Sequence, residues 1–271
     1  MTIRALTLFA AICSLSASIC AADPQIHLIT IADTRDGGIG PGTSGNTKQM
    51  EDFLKTVARD LKVNLTRQDV SGTAFNCDQI KQAIKVANVG SDDVLIFYYS
   101  GHGFRSETNS TPFPELFCGN DAFSGGARLV DFADSLQKKG ARLTITAADA
   151  CNVLLTQPAP TRPVPEVASV PVSREQQFRR LFMKHKGTLV LSGAKRDQFS
   201  WYNVVANADM PVMGYFTKQF VGALDEATRP GKRGLWSEVV TTATKQINVQ
   251  FYQTVIAQNP EVQSKLELLP D

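Results

Sequence analysis

"DDVLIFYYSGHGFRSE", residues 92–107, is the stretch whose reading decides the fold. Six apolar or aromatic residues, Val94 to Tyr99, run without a polar break into Ser100-Gly101-His102-Gly103. A strand apolar on both of its alternating faces is covered on both sides, the usual condition of strands in parallel sheets. It ends by placing one of only three histidines between two glycines.

Outward from this stretch, similar short runs predict strands at 25–33, 63–68, 143–149 and 188–193. Between and after them, amphipathic spacing predicts helices at 47–60, 77–88, 128–139, 173–184, 212–227 and 235–256. The alternation implies an α/β fold, a mostly parallel sheet with helices on both faces. Ligands in such sheets gather beyond the carboxyl ends of the strands. Two polar motifs fall at those ends: S-G-H-G and the close of "LTITAADACNV", residues 143–153.

Side chains alternate along a strand, so Ser100 and His102 share a face, as do Asp149 and Cys151. The glycines are expected to turn the backbone sharply and leave the imidazole uncovered. Alone, His102 reads as a turn residue and Cys151 as a packed thiol. Paired, they supply a nucleophile and a general base that later protonates the leaving amine, with the backbone N–H groups of Gly103 and Cys151 as candidate oxyanion donors. A carboxylate beside a thiol raises its pKa, so Asp149 suits a pocket for a cationic substrate group better than activation of Cys151.

The 271 residues, 43% hydrophobic and 20% charged, are enough for a sizeable core, and a net charge of +2 argues against nucleic acid as the main partner. Residues 1–22 carry Arg4 and then an apolar stretch ending in small residues. They read as a cleaved secretory signal rather than a membrane span, so residues 23–271 form the mature domain, exported to the periplasm or beyond and not stably inserted in a membrane. Cys13 and Cys20 fall in the signal, leaving Cys77, Cys118 and Cys151. At least one thiol is then unpaired; Cys77 and Cys118 form a disulfide or stay free. The five prolines of residues 156–173 mark an exposed linker within the domain. No H-E-x-x-H or C-x-x-C spacing occurs, so no metal site is assigned.

"GPGTSG", residues 40–45, offers a nucleotide-binding alternative through Gly40, Gly42 and Gly45, with Asp69 further along. That fingerprint belongs to a tight turn directly after a strand, whereas six residues, Thr34 to Ile39, precede Gly40 here; a flexible surface loop is expected instead. The basic runs at 179–186 and 229–234 read as solvated faces.

"DDVLIFYYSGHG" and "TITAADAC", with the weaker "NTKQMEDFL", "GNDA" and "MGYFTKQFVGAL", resemble the caspase-like cysteine peptidases, most nearly the bacterial metacaspase-like branch, over residues 25 to 226. The separation of His102 from Cys151 agrees with the interval of about 50 residues found in caspases. The resemblance implies a three-layer sandwich, a His102–Cys151 dyad, and a Pro-rich connection between a larger and a smaller subunit region. It further implies a peptide or protein substrate held through a pocket of Asp149 and Ser100 that accepts Arg or Lys before the cleaved bond. Two departures stand out. Asn46, four residues before Met50, occupies the place of a second pocket aspartate, and "DACNV" lacks the Ser-Gly that often follows the family cysteine. Self-cleavage in the linker is expected after Arg174, because Pro163 follows Arg162. No cofactor is assigned, while a Ca²⁺ requirement, as in many metacaspases, and the oligomeric state stay open. The rival class is a non-catalytic caspase-like module that binds a peptide or partner through the same cleft.

Overall fold

The computed structural model describes residues 23–121, 124–154, 174–202, 213–251 and 254–270. The expected signal and the Pro-rich linker lie outside the described residues. In chain order the first half holds β1 (Ile26–Ala32), α1 (Gly40–Leu61), β2 (Leu65–Ser71), α2 (Cys77–Val86), β3 (Val94–Ser100), β4 (Gly103–Phe104), β5 (Glu115–Asp121), β6 (Ser124–Arg128) and α3 (Leu129–Gln137). The second holds β7 (Leu143–Asp149), α4 (Glu175–Phe178), β8 (His185–Ser192), α5 (Tyr215–Ala227), α6 (Trp236–Ala243), β9 (Ile247–Phe251), β10 (Thr254–Gln258) and β11 (Glu261–Leu268).

Strands β1, β3 and β7 are buried at every position, which is why their sequences read as unbroken apolar runs. They form the middle of a six-stranded sheet ordered β11-β8-β7-β3-β1-β2, parallel except for the edge strand β11, which runs antiparallel to β8. The alternation along β3 divides the core. Val94, Ile96 and Tyr98 pack with Met50 and Leu54 of α1, Phe216 and Phe220 of α5 and Trp236 of α6, whereas Leu95, Phe97 and Tyr99 pack with Ile80 and Ile84 of α2 and Phe132 and Leu136 of α3. The result is the expected three-layer sandwich. A disulfide joins Cys77 at the start of α2 to Cys118 in β5, with the Cα atoms 4.9 Å apart. Among the described residues no helix is long and apolar enough to cross a membrane.

Four expectations require correction. The helix foreseen over 235–256 ends at Ala243, and β9 and β10 follow as a hairpin. Its apolar residues Ile247 and Val249 alternate at the strand period and pack against Trp201 and Tyr215. Strand β11 is absent from the sequence reading because its charged outer face hides the alternation of Val262 and Leu266, which pack on the core. The helix expected over 173–184 spans only Glu175–Phe178 before passing into a π-helical turn, Arg179–Met183. Finally, "GPGTSG" is no loop: it forms the opening turns of α1, with Pro at a position where its missing N–H costs nothing.

That last correction removes the nucleotide-binding reading. The Gly40 N–H donates to the Asp36 carbonyl and the Thr43 N–H to the Ile39 carbonyl (2.9 Å each), so these amides do not cradle a phosphate. Gly42 and Gly45 are buried. Gly40 is needed for close approach, since a Cβ there would sit 2.6 Å from the Thr34 carbonyl oxygen. Asp69 is engaged by the Thr30 hydroxyl at 3.0 Å.

Candidate active site

The pairing of β3 with β7 carries the site. Its register runs from Val94 opposite Leu143 to Ser100 opposite Asp149, and an isolated bridge sets Arg105 opposite Leu154 beyond both strand ends. Every one of these pairs is separated by the same 49 residues that separate His102 from Cys151. The register therefore brings the two residues side by side just past the rim of the sheet. Gly101 N–H donates to the Asp149 carbonyl (3.2 Å) and Arg105 N–H to the Val153 carbonyl (2.8 Å), which holds the two chains together on either side of them.

The glycines serve this close approach. The chain bends at Gly101 as expected, but neither Gly101 nor Gly103 is among the residues with positive φ, so the need for glycine there is one of space. A Cβ on Gly103 would lie 2.4 Å from the Cys151 carbonyl oxygen and 2.7 Å from the Ala150 Cβ; one on Gly101 would lie 2.6 Å from the Tyr99 hydroxyl. That hydroxyl donates to the carbonyls of His102 and Phe117, 2.7 Å each, and the Phe117 N–H donates to His102 at 3.0 Å. The backbone under the imidazole is thus fixed from two directions.

The ring itself is half-exposed, with 49% of the His102 side chain accessible, and its Nε2 lies 3.2 Å from Oδ2 of Asp36. Asp36 belongs to the loop between β1 and α1, where its Oδ1 accepts the N–H groups of Gly38 (2.7 Å) and Ile39 (2.8 Å). Burial pushes the Asp36 carboxyl upward, but the two amides and the imidazole outweigh it and hold the group below the usual carboxylate range. Asp33, nearly buried, is shifted upward by burial and by the charge of Asp36. Ligand atoms of Asp33, Asp36 and His102 lie within 4.8 Å of one another, a grouping that no local spacing in the sequence announces. The trio does not fit Ca²⁺, which takes six to eight oxygen ligands.

The thiol of Cys151 donates to the Ser200 carbonyl at 3.6 Å, not to His102. Burial, and behind it the charge of Asp149, push it up to about 11, in the direction the sequence suggested. The residue after the cysteine anchors the chain. Asn152 is fully buried and is held by five hydrogen bonds: its amide donates to the carbonyls of Pro112 (2.8 Å) and Ala194 (3.2 Å), its side-chain oxygen accepts from Arg105 (2.9 Å), and its backbone pairs with Gln198 and Asp197. Arg105, itself buried, also donates to the Asn109 carbonyl at 2.7 Å. The chain leaving Cys151 is anchored by a side-chain lock instead of a small-residue turn.

Ser100, Asp149 and Asn46 meet in one buried cluster. Asp149 is fully buried; its Oδ1 accepts from Ser200 Oγ (2.6 Å), and its Oδ2 accepts from the Thr217 hydroxyl (2.5 Å), the Thr217 N–H (3.1 Å) and Asn46 Nδ2 (3.2 Å). Burial dominates and raises Asp149 against these four donors. Asn46 also donates to Ser100 Oγ (3.0 Å) and accepts from the Gly214 N–H (2.7 Å), while Tyr202 Oη lies 3.0 Å from Ser100 Oγ. Gly214 packs so tightly that a Cβ there would meet Asp149 Oδ2 at 1.9 Å. Gln258, at the end of β10, donates to Ser200 Oγ (3.1 Å) and to the Gly193 carbonyl (2.8 Å).

Sequence reasoning missed Asp33, Asp36, Ser200, Thr217 and Gln258. Each is one polar residue whose place is set by a distant pairing, although Thr217 stands in the quoted "MGYFTKQFVGAL". Arg174, the expected processing site, has its side chain 11% exposed and paired with Asp225, and it leads directly into α4. His27 lies at the opposite end of the sheet, bonded to Asp93 (2.8 Å) and Thr66 (2.7 Å), and His185 binds the Arg180 carbonyl (2.9 Å). In the basic run at 229–234, Arg229 and Lys232 pair with Glu226 and Arg233 pairs with Glu238.

A family model described as the caspase domain, Peptidase_C14, matches residues 41–268, from the first turn of α1 to the end of β11. No curated protein matches the chain. Among solved structures, that of protein GSU0716 from Geobacter sulfurreducens aligns over 92% of this chain and 95% of its own, at 16% identity and a TM-score of 0.47. By the extent of the family match, together with its α/β sandwich, this chain belongs to the caspase-domain family.

Proposed function

We propose that the protein is an exported cysteine endopeptidase that acylates on Cys151, with His102 as general base and then acid. One observation carries the proposal: the β3–β7 register that sets the imidazole-bearing and thiol-bearing chains side by side beyond the rim. A thiol near 11 is protonated at neutral pH, so the cysteine attacks with proton transfer to His102 in the same step rather than as a stored thiolate. Gly103 and Cys151 supply the backbone N–H groups for the oxyanion.

A preference for Arg or Lys before the cleaved bond rests on Asp149, with Ser100 and Asn46 beside it. Asn46 makes the longest of the four contacts to the carboxylate. An amide in place of a second carboxylate weakens that preference without reversing it. The disulfide supports an oxidising compartment.

The test compares the mature chain with Cys151→Ala on fluorogenic Arg and Lys peptides; equal turnover refutes the proposal. Adding Ca²⁺ to the same assay reads any metal dependence. A second reading, a peptide-binding caspase-like module without catalysis, is favoured by the Cys151 hydrogen bond to Ser200 instead of His102. A cysteine-directed peptidyl electrophile separates the two, because a module that only binds is not labelled faster than its His102→Ala variant.

A further inference from the structure

The β1–α1 loop places one carboxylate so that its two oxygens face different tasks. Oδ1 of Asp36 takes the Gly38 and Ile39 N–H groups and closes the turn ahead of α1; Oδ2 is left for Nε2 of His102. Besides Asp36, the ring makes an edge contact with Phe117 at 6.5 Å between centroids. A half-exposed imidazole so lightly packed needs a polar partner to hold one orientation and one tautomer.

We infer that Asp36 is the positioning residue of the dyad: it accepts the Nε2–H of His102 and so keeps Nδ1 bare for the proton of Cys151. This rests on the peptidase reading above. In the acylation step the S–H bond breaks, its proton passes to Nδ1, and Sγ bonds to the substrate carbonyl carbon. As the C–N bond breaks, the same proton moves to the departing amine. Water then repeats the sequence, giving its proton to Nδ1 as its oxygen displaces sulfur, and the proton returns to the thiolate. Asp36 stays ionised throughout and touches no reacting atom.

Two variants separate this role from simple loop support. Asp36→Asn keeps an oxygen for the Gly38 and Ile39 amides but turns an N–H toward Nε2, which stabilises the wrong tautomer. Asp36→Ala removes both functions. The expected result is a fall in kcat of about 100-fold for Asn with KM within about twofold, and a smaller fall of about tenfold for Ala, below the loss of about 10⁴ known for a buried triad aspartate because His102 is half-exposed. Loop support alone predicts the reverse order. In parallel, nitrogen-15 NMR of the full mature chain reads the tautomer directly: Nε2–H in the wild type and Nδ1–H in Asp36→Asn. Wild-type His102 in the Nδ1–H form, or an Asn variant with kcat within twofold of wild type, overturns the inference. If the wild type cleaves no peptide, the peptidase reading fails, and the tautomer measurement still decides the role of Asp36.

Discussion

The reactivity of Cys151 toward small and peptide-like electrophiles tests how the nucleophile is activated. The perturbation is pH, followed by His102→Ala. An unperturbed thiol near 8.5 is about 10% thiolate at pH 7.5, whereas one at about 11 is about 0.03%, a deficit of roughly 300-fold. Higher basicity returns about a factor of ten in intrinsic nucleophilicity. Iodoacetamide, which recruits no general base, should therefore alkylate Cys151 about 30-fold more slowly than it alkylates an unhindered peptide cysteine. Its rate should climb about tenfold per pH unit from pH 6 to 10 without a plateau, because the sulfur must lose its proton unaided. A peptidyl electrophile that docks beside His102 gives the proton a destination. Its rate should level off near neutrality and fall by at least about 100-fold in His102→Ala, while the iodoacetamide rate changes less than about threefold. The assay is loss of the free thiol by mass spectrometry, with the modified peptide identified. A plateau below pH 8 with iodoacetamide would show a stored thiolate–imidazolium pair and refute the reasoning. So would a His102→Ala protein that reacts normally with the peptidyl probe.

Removing the Cys77–Cys118 cross-link, which closes a loop over 41 positions, should cost about 4 kcal/mol by loop entropy, and urea unfolding of the double alanine variant should show its midpoint lowered by about 1.5 M. Gly103→Ala forces a methyl into the Cys151 carbonyl and the Ala150 side chain; activity should drop by more than about tenfold while circular dichroism keeps the sheet signal, and an active variant would remove Gly103 from the site.

The fold was legible wherever a strand is covered on both faces. The runs behind β1, β3 and β7 have no polar side to disguise them, and the helices between them show apolar stripes facing the sheet. Legibility failed where burial is one-sided. Glu261, Gln263, Lys265 and Glu267 dominate β11 at the sheet edge, and charge on an edge is what keeps it from pairing with another chain. In β9 and β10 short alternations sit next to a real helix, so the helical period was carried too far. The opening of α1 was hidden by three glycines and a proline, residues of poor helix propensity; of these, Gly40 has its own reason, since the Thr34 carbonyl leaves no room for a Cβ there.

The candidate site divides along the same physical line. His102, Cys151, Ser100 and Asp149 are legible because strand register is regular: a constant offset of 49 residues converts a distance in sequence into adjacency in space. Asn46 entered through resemblance, and Asp36, Ser200 and Gln258 did not enter at all, because loops and chain crossings have no period from which to compute a neighbour. Yet these residues tie the parts of the candidate site together. Ser200 holds the resting thiol through its carbonyl and Asp149 through its hydroxyl, so one residue ties the nucleophile to the pocket floor. On the proposed function, a substrate cation that draws on Asp149 would pull against the same segment that restrains Cys151, and a peptide lacking a basic residue should then lose kcat as well as affinity, which the same fluorogenic assay reads.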